Sequence, residues 1–197
     1  MKVAFGIKAH SGWAALVVVG EDDGEFVVVD RRRIELVDEE WAKQPYHAAE
    51  DLKPDVARDV VKQGVEAAHR IALREMKAAL KAERDRKNEV FACAVLVVDP
   101  MPDWSVDEIL AVHFRMHKAE GVLFREALVR AAKACKLTLV EIHEKVLTKN
   151  AEIALKTPAS QLLTDVARLG KTVGPPWGKD QKDSTLAAMI ALDNSSR

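Results

Sequence analysis

The stretch Val90-Phe91-Ala92-Cys93-Ala94-Val95-Leu96-Val97-Val98 is an unbroken apolar run bounded by Glu89 and Asp99. Successive residues of a strand point to opposite faces, so a strand with one face in water alternates polar and apolar residues. This run leaves no face for water, and it is far too short to cross a bilayer. It reads as a strand covered on both sides, at the centre of a sheet with helices on both faces.

The rest of the chain supplies partners for such a strand. Residues 3–7, 13–19 and 26–37 are rich in Val and Ile and are separated by Ala9-His10-Ser11-Gly12 and Glu21-Asp22-Asp23-Gly24. They predict three strands joined by two hairpins. Residues 44–54 break that pattern, and Pro54 fits the first turn of a long helix. Val56, Val60, Val61, Ala68, Ile71, Ala72, Met76 and Leu80 recur there at helical spacing, and the helix ends in a basic tail through Lys87. After Pro100-Met101-Pro102, Ser105 and Glu108 have the spacing of a capping box, which starts a helix. A further helical pattern runs to about Cys135, and residues 137–143 alternate as a short strand. Thr157-Pro158 and Gly170 bracket another helix as N-cap, first-turn proline and C-terminal glycine. Gly174-Pro175-Pro176-Trp177-Gly178 predicts a loop, and residues 180–192 a last helix. The predicted order is βββαβαβαα, in one domain over residues 1–197, without repeats or low-complexity tracts.

Composition narrows the setting. The chain is 48% apolar and carries 30 basic against 31 acidic side chains, so it has no strong overall field toward nucleic acid or anionic lipid. Binding of either kind requires a local patch. Cys93 and Cys135 are far apart in apolar stretches, which predicts buried reduced thiols, in keeping with a reducing cytoplasm. The first residues run into a charged turn without a cleavable apolar segment, so neither secretion nor membrane insertion is expected.

Three segments add a family resemblance. Phe5-Gly6-Ile7-Lys8-Ala9-His10-Ser11-Gly12-Trp13-Ala14 is similar to the first strand and turn of the Holliday-junction resolvase (RuvC-like) branch of the ribonuclease H-like fold. In that family a Gly-Ile-Asp precedes a small-residue turn. Lys156-Thr157-Pro158-Ala159-Ser160-Gln161-Leu162 resembles the family's helix-initiating segment. Asp180-Gln181-Lys182-Asp183-Ser184-Thr185-Leu186-Ala187-Ala188-Met189-Ile190 resembles its C-terminal helix, where two aspartates three apart precede an Ala-rich run. The resemblance implies an α/β ribonuclease H-like fold with a mixed five-stranded sheet and helices on both faces. It also implies branched or double-stranded nucleic acid as partner and a homodimer paired through helices.

The family's chemistry uses about four carboxylates around two Mg²⁺ ions that activate water and stabilise the leaving oxygen of a phosphodiester. Carried over by position, Asp180 and Asp183 match the final pair, and Asp99 matches the acid at the end of the central strand, where the family has glutamate. Lys8 replaces the first aspartate. An ammonium cannot ligate a metal, and beside three carboxylates it forms ion pairs in the space a cation needs. The nearest downstream acid is Glu21, past the whole second strand.

Each of these residues also has a plain structural explanation. Asp180 and Asp183 complement the helix dipole in a first turn, Asp99-Pro100 is an ordinary exit from a sheet, and Lys8, which in a remodelled site would contact a phosphate of uncut nucleic acid, reads first as an ordinary turn lysine. His113, His117 and Glu120 share one helix face at metal-ligand spacing. Phe114 stands where the metalloprotease motif has glutamate and no further ligand is spaced nearby, which favours surface or interface histidines. Arg31-Arg32-Arg33 and the basic residues from Lys77 to Lys87 make a nucleic-acid stripe only if they share one face. Trp13, Trp41, Trp104 and Trp177 are scattered, and no phosphate loop or nucleophile elbow is present.

Three functions follow. The first is a divergent resolvase-like protein, impaired as a two-metal nuclease, that keeps binding to structured nucleic acid. The second is an active Mg²⁺-dependent endonuclease using Asp99, Asp180, Asp183 and one more acid. The third is a dimeric protein-interaction module.

Overall fold

The computed structural model describes residues 1–193. Three strands open the chain, β1 (Lys2–His10), β2 (Trp13–Asp22) and β3 (Glu25–Glu35), and a 3-10 turn at Glu40–Lys43 leads into the short helix α1 (Pro45–Ala49). The long helix α2 (Pro54–Asp85) precedes β4 (Glu89–Val97). Then come α3 (Val106–Leu110), α4 (His113–Ala134), β5 (Thr138–His143), α5 (Leu147–Leu155), α6 (Ala159–Val173) and α7 (Lys179–Asp193). The sheet order is β3-β2-β1-β4-β5. β1 pairs antiparallel with β2, and β2 with β3, whereas β4 runs parallel to both β1 and β5. The apolar run of residues 90–98 thus forms the strand β4 inside a mixed five-stranded sheet.

Alternation along β1 splits the core in two. Val3, Phe5, Ile7 and Ala9 join Cys93 and Val95 of β4 under α2 and α4, whose Ala68, Met76, Phe124 and Leu128 close that layer. Ala4, with Val17 and Val19 of β2 and Ala92, Ala94 and Leu96 of β4, packs under Leu186, Met189 and Ile190 of α7 on the other face. Full burial of each such large side chain contributes about 1.5–3 kcal/mol. Gly6 decides how closely α7 approaches: a Cβ there would collide with the Ser184 backbone carbonyl oxygen. The Ser184 hydroxyl, itself buried, reaches the Ala15 carbonyl oxygen at 3.3 Å.

The structure departs from the sequence reading at several places. The helix at residues 157–170 was expected to stop at Gly170, but α6 continues to Val173 and ends at Gly174, whose φ is 72°. Gly170 is instead small because the Trp177 indole lies against it. The N-terminus of α6 is capped by the Glu152 carboxylate, which accepts the Ala159 N–H at 2.7 Å, while the Thr157 hydroxyl donates to the Leu155 carbonyl. The helix α1, not predicted, starts with Pro45 in its first turn inside the stretch read as a break in the strand pattern, and α5 has no capping side chain. The Ser105–Glu108 capping box is present, but its helix closes after Leu110 and α4 begins afresh at His113. Both cysteines are free, Cys93 buried and Cys135 partly so. Among the described residues no helix is long and apolar enough to cross a membrane.

Candidate functional site

The face of β1 that meets α7 carries Gly6, Lys8 and His10 in alternation. Because Gly6 admits the α7 backbone, the first turns of α7 lie over the end of the strand, and their carboxylates come down onto Lys8. The Lys8 Nζ is 2.7 Å from Asp183 Oδ2 and 3.2 Å from Asp180 Oδ1. Spacing of three on α7 puts both acids on one side of the helix. The Lys8 side chain is only 9% exposed, against 16% for Asp183 and 27% for Asp180. Lys179 Nζ reaches the same Asp183 oxygen at 2.5 Å. His10 Nε2 lies 3.1 Å from the second Asp180 oxygen, at ion-pair distance without hydrogen-bond geometry. The His10 ring stacks on Trp13 at 4.4 Å, and the Arg33 guanidinium covers the Trp13 ring at 3.9 Å.

Electrostatics follow from this packing. Burial works against the charge on Lys8, but hydrogen bonds and attraction from Asp183 and then Asp180 outweigh it and raise its pKa above the usual lysine value. Burial likewise opposes ionisation of Asp180, and Lys8 and His10 overcome it, so this carboxyl titrates below its ordinary range. The ammonium therefore stays charged and occupies the oxygens that a cation would need.

Asp99 does not join this cluster. It leaves the end of β4 toward β5, where its two oxygens meet His143 Nε2 at 3.1 Å and Lys145 Nζ at 3.4 Å. The Lys145 ammonium, then His143, holds the Asp99 carboxyl below its usual range. Parallel pairing sets this, since Val97 and His143 are register partners and the two strand ends come out side by side. Glu21 sits at the opposite end of β2, beyond the Val3–Gly20 pair, and gives no replacement. Among the described residues, Asp99, Asp180 and Asp183 do not form a group of three metal-ligand atoms within 4.8 Å; His47, His113 and His117 do. The Lys8 ammonium thus lies against Asp180 and Asp183, and Asp99 faces His143 and Lys145 instead.

The two basic runs meet at Asp30 and Glu83, where part of their charge is paired. Arg32 is paired with Asp30, and Arg86 Nη1 lies 3.1 Å from Asp30 and 2.5 Å from the fully buried Glu83. Arg31 is turned to the loop before α7, where it donates to the Pro175 and Pro176 carbonyl oxygens at 2.6 and 2.9 Å. The remaining tryptophans serve local structure: Trp177 Nε1 donates to the Val166 carbonyl at 3.0 Å, and Trp41 Nε1 to Glu39 at 2.8 Å. Sequence reasoning missed His10, Trp13 and Arg33 as neighbours of the aspartates. The period of two from Lys8 to His10 was the available signal.

No family model and no curated protein matches the chain. Solved structures do. A strand order of 3-2-1-4-5 with helices on both faces and an aspartate-bearing last helix laid on β1 defines a ribonuclease H-like α/β protein. Within that class the architecture is that of the resolvase RuvC. The Thermus thermophilus RuvC structure aligns at a TM-score of 0.53 with 14% identity, over 98% of this chain and 95% of that one. The T. thermophilus RuvC in complex with Holliday junction substrate aligns at 0.53 with 12% identity, over 100% and 96%.

Proposed function

We propose that this chain is a resolvase-like protein that binds structured nucleic acid and does not cut it by two-metal chemistry. The observation that carries this reading is the Lys8 ammonium held 2.7 and 3.2 Å from Asp183 and Asp180. The Lys8 and Lys179 ammoniums together offset the two carboxylates that would otherwise repel a phosphodiester. Around Lys8, Arg33, paired with Glu35 and 53% exposed, and Lys179, which shares Asp183 and is 79% exposed, put guanidinium and ammonium donors within reach of solvent from two elements. Support for the partner comes from the fold, since the RuvC of like architecture is one solved in complex with Holliday junction substrate.

The experiment is gel-shift and cleavage of a four-way junction by the purified protein, with and without Mg²⁺ or Mn²⁺, beside Asp183→Asn. The expected result is retarded junction DNA whose affinity falls steeply with salt, with no cut strand under either metal. Metal-dependent cutting that Asp183→Asn abolishes would restore an active endonuclease and refute the proposal. Absence of any shift at low salt would remove the nucleic-acid partner and favour a protein-interaction module.

A further inference from the structure

A second cluster lies apart from Lys8 and shares no residue with it. His47 of α1 meets His113 and His117 of the first turns of α4. Ring centroids are 5.1 Å apart for His47 and His113, and 4.6 Å for each of the other two pairs. One nitrogen from each ring lies within 4.8 Å of the others, and His113 Nε2 is 3.0 Å from His117 Nε2. Nitrogens bound to a tetrahedral zinc ion at about 2.0–2.1 Å stand roughly 3.3 Å apart, so this pair is already at ligand spacing.

The surrounding carboxylates prepare the rings as ligands. Glu120, 3% exposed, holds His47 Nδ1 at 2.7 Å with one oxygen and accepts the His47 backbone N–H at 3.1 Å with the other. That contact fixes the proton on Nδ1 and leaves the lone pair on Nε2. His47 Nε2 has neither exposed surface nor a hydrogen-bond partner. Glu50 approaches His113 Nδ1 at 3.4 Å in the same sense. A buried carboxylate on one ring nitrogen with the other left unpaired is the usual setting of a metal-bound histidine. The lone pair of His47 Nε2 has no partner, and a divalent cation would take it together with the His113 and His117 nitrogens and balance Glu120.

We infer that His47, His113 and His117 bind one zinc(II) ion per chain, with Glu120 and Glu50 orienting His47 and His113. Three imidazoles without a protein oxygen or thiolate exclude Mg²⁺ and Ca²⁺ and suit zinc. The fourth position is water, because the His113 side chain is 62% exposed and the neighbouring Phe114 is 73% exposed, so this side opens to solvent. An open three-histidine site of this kind holds an exchangeable water rather than serving as a closed structural clip.

Chelator-treated, dialysed protein is titrated with ZnCl₂ by calorimetry and with CoCl₂ by visible absorption. The expected result is one equivalent per chain and the strong visible bands of four-coordinate cobalt(II), both lost in the His113→Ala/His117→Ala double variant. Those two side chains are exposed, so an unchanged far-ultraviolet circular dichroism spectrum is expected to accompany the loss. Glu120→Gln is expected to weaken zinc binding about 10–100-fold. Excess Mg²⁺ is expected to leave the bound zinc in place. No uptake by the wild type, undiminished uptake by the double variant, or displacement by Mg²⁺ would each overturn the assignment.

Discussion

Replacing Lys8 with methionine tests the electrostatic design of the candidate site. The change keeps the length of the side chain on β1 and removes the ammonium that Asp180 and Asp183 share at 3.2 and 2.7 Å. Breaking a buried pair by deleting one partner costs about 3–5 kcal/mol. Two features pull the cost below that: Asp180 is 27% exposed, and Lys179 remains 2.5 Å from Asp183. The expected loss is about 2–3 kcal/mol, a shift of about 1–1.5 M in the urea midpoint for m near 2 kcal/mol/M. Equilibrium unfolding followed by tryptophan fluorescence reads this directly. The pH dependence is a second constraint. Asp180 has a depressed folded pKa, so its share is present above the ordinary carboxylate range and is lost as pH falls through the folded value. Lys8 has a raised folded pKa, so its share is present below the ordinary lysine value and is lost as pH rises through the folded one. The wild-type advantage over Lys8→Met is therefore flat between about pH 5 and 9 and shrinks on both sides. Lys81→Met is the control, because the Lys81–Asp85 pair is 74% and 60% exposed and such pairs contribute about 0–1 kcal/mol. A midpoint shift for Lys8→Met no larger than that of the control, or an advantage unchanged at pH 3, would refute the reasoning.

Lys8→Asp is expected to melt below the wild type without divalent ions, since three carboxylates then crowd one end of β1, and to regain stability on addition of Mg²⁺; a melting point indifferent to Mg²⁺ would count against that placement. Gly6→Ala is expected to destabilise by several kcal/mol or prevent folding, because its Cβ meets the Ser184 backbone oxygen, which moves only if α7 moves. Near-wild-type stability by thermal melting would show that α7 is not seated on β1 as described. Burial pushes the Cys93 thiol up to about 12, so a thiol reagent at pH 8 is expected to label it only in denaturant. Rapid native labelling of both thiols, counted by mass spectrometry, would contradict its position in the sheet.

The elements that carried strong local signals were read well. The long helix expected from Pro54 is α2, the run at residues 90–98 is β4, and the helix expected at residues 180–192 is α7. The first rests on a proline and helical periodicity, the second on an unbroken apolar run, and the third on the segment that resembles the resolvase family. The ends were less legible. Gly170 looked like a stop because glycine commonly ends helices, yet its lack of a side chain serves Trp177, seven residues on. Nothing within the segment distinguishes a glycine used for φ from one used for contact.

The candidate site divides along the same line. The pairing of two aspartates three apart on a last helix, and the intrusion of Lys8 among them, could be anticipated from the segments that resemble the resolvase family. The hydrogen bond from Lys8 to Asp183 spans 175 positions in sequence, and its distance exists only because β1 is a central strand and Gly6 lets α7 lie on it. Asp99 shows the opposite outcome. Its sequence position at the end of β4 matched an acid of the family, but its direction was decided by His143 and Lys145 at the end of the neighbouring parallel strand. The histidine cluster is the clearest case: the i, i+4 pair His113 and His117 was visible, while His47 and the inward turn of Glu120 depend on how α1 docks against α4. By itself the sequence determined the strands and the long helices, because period and hydrophobicity are local properties of the chain. Only the tertiary structure decided which charged and ligating groups meet, because those distances are set by sheet register and helix docking between segments far apart in the chain.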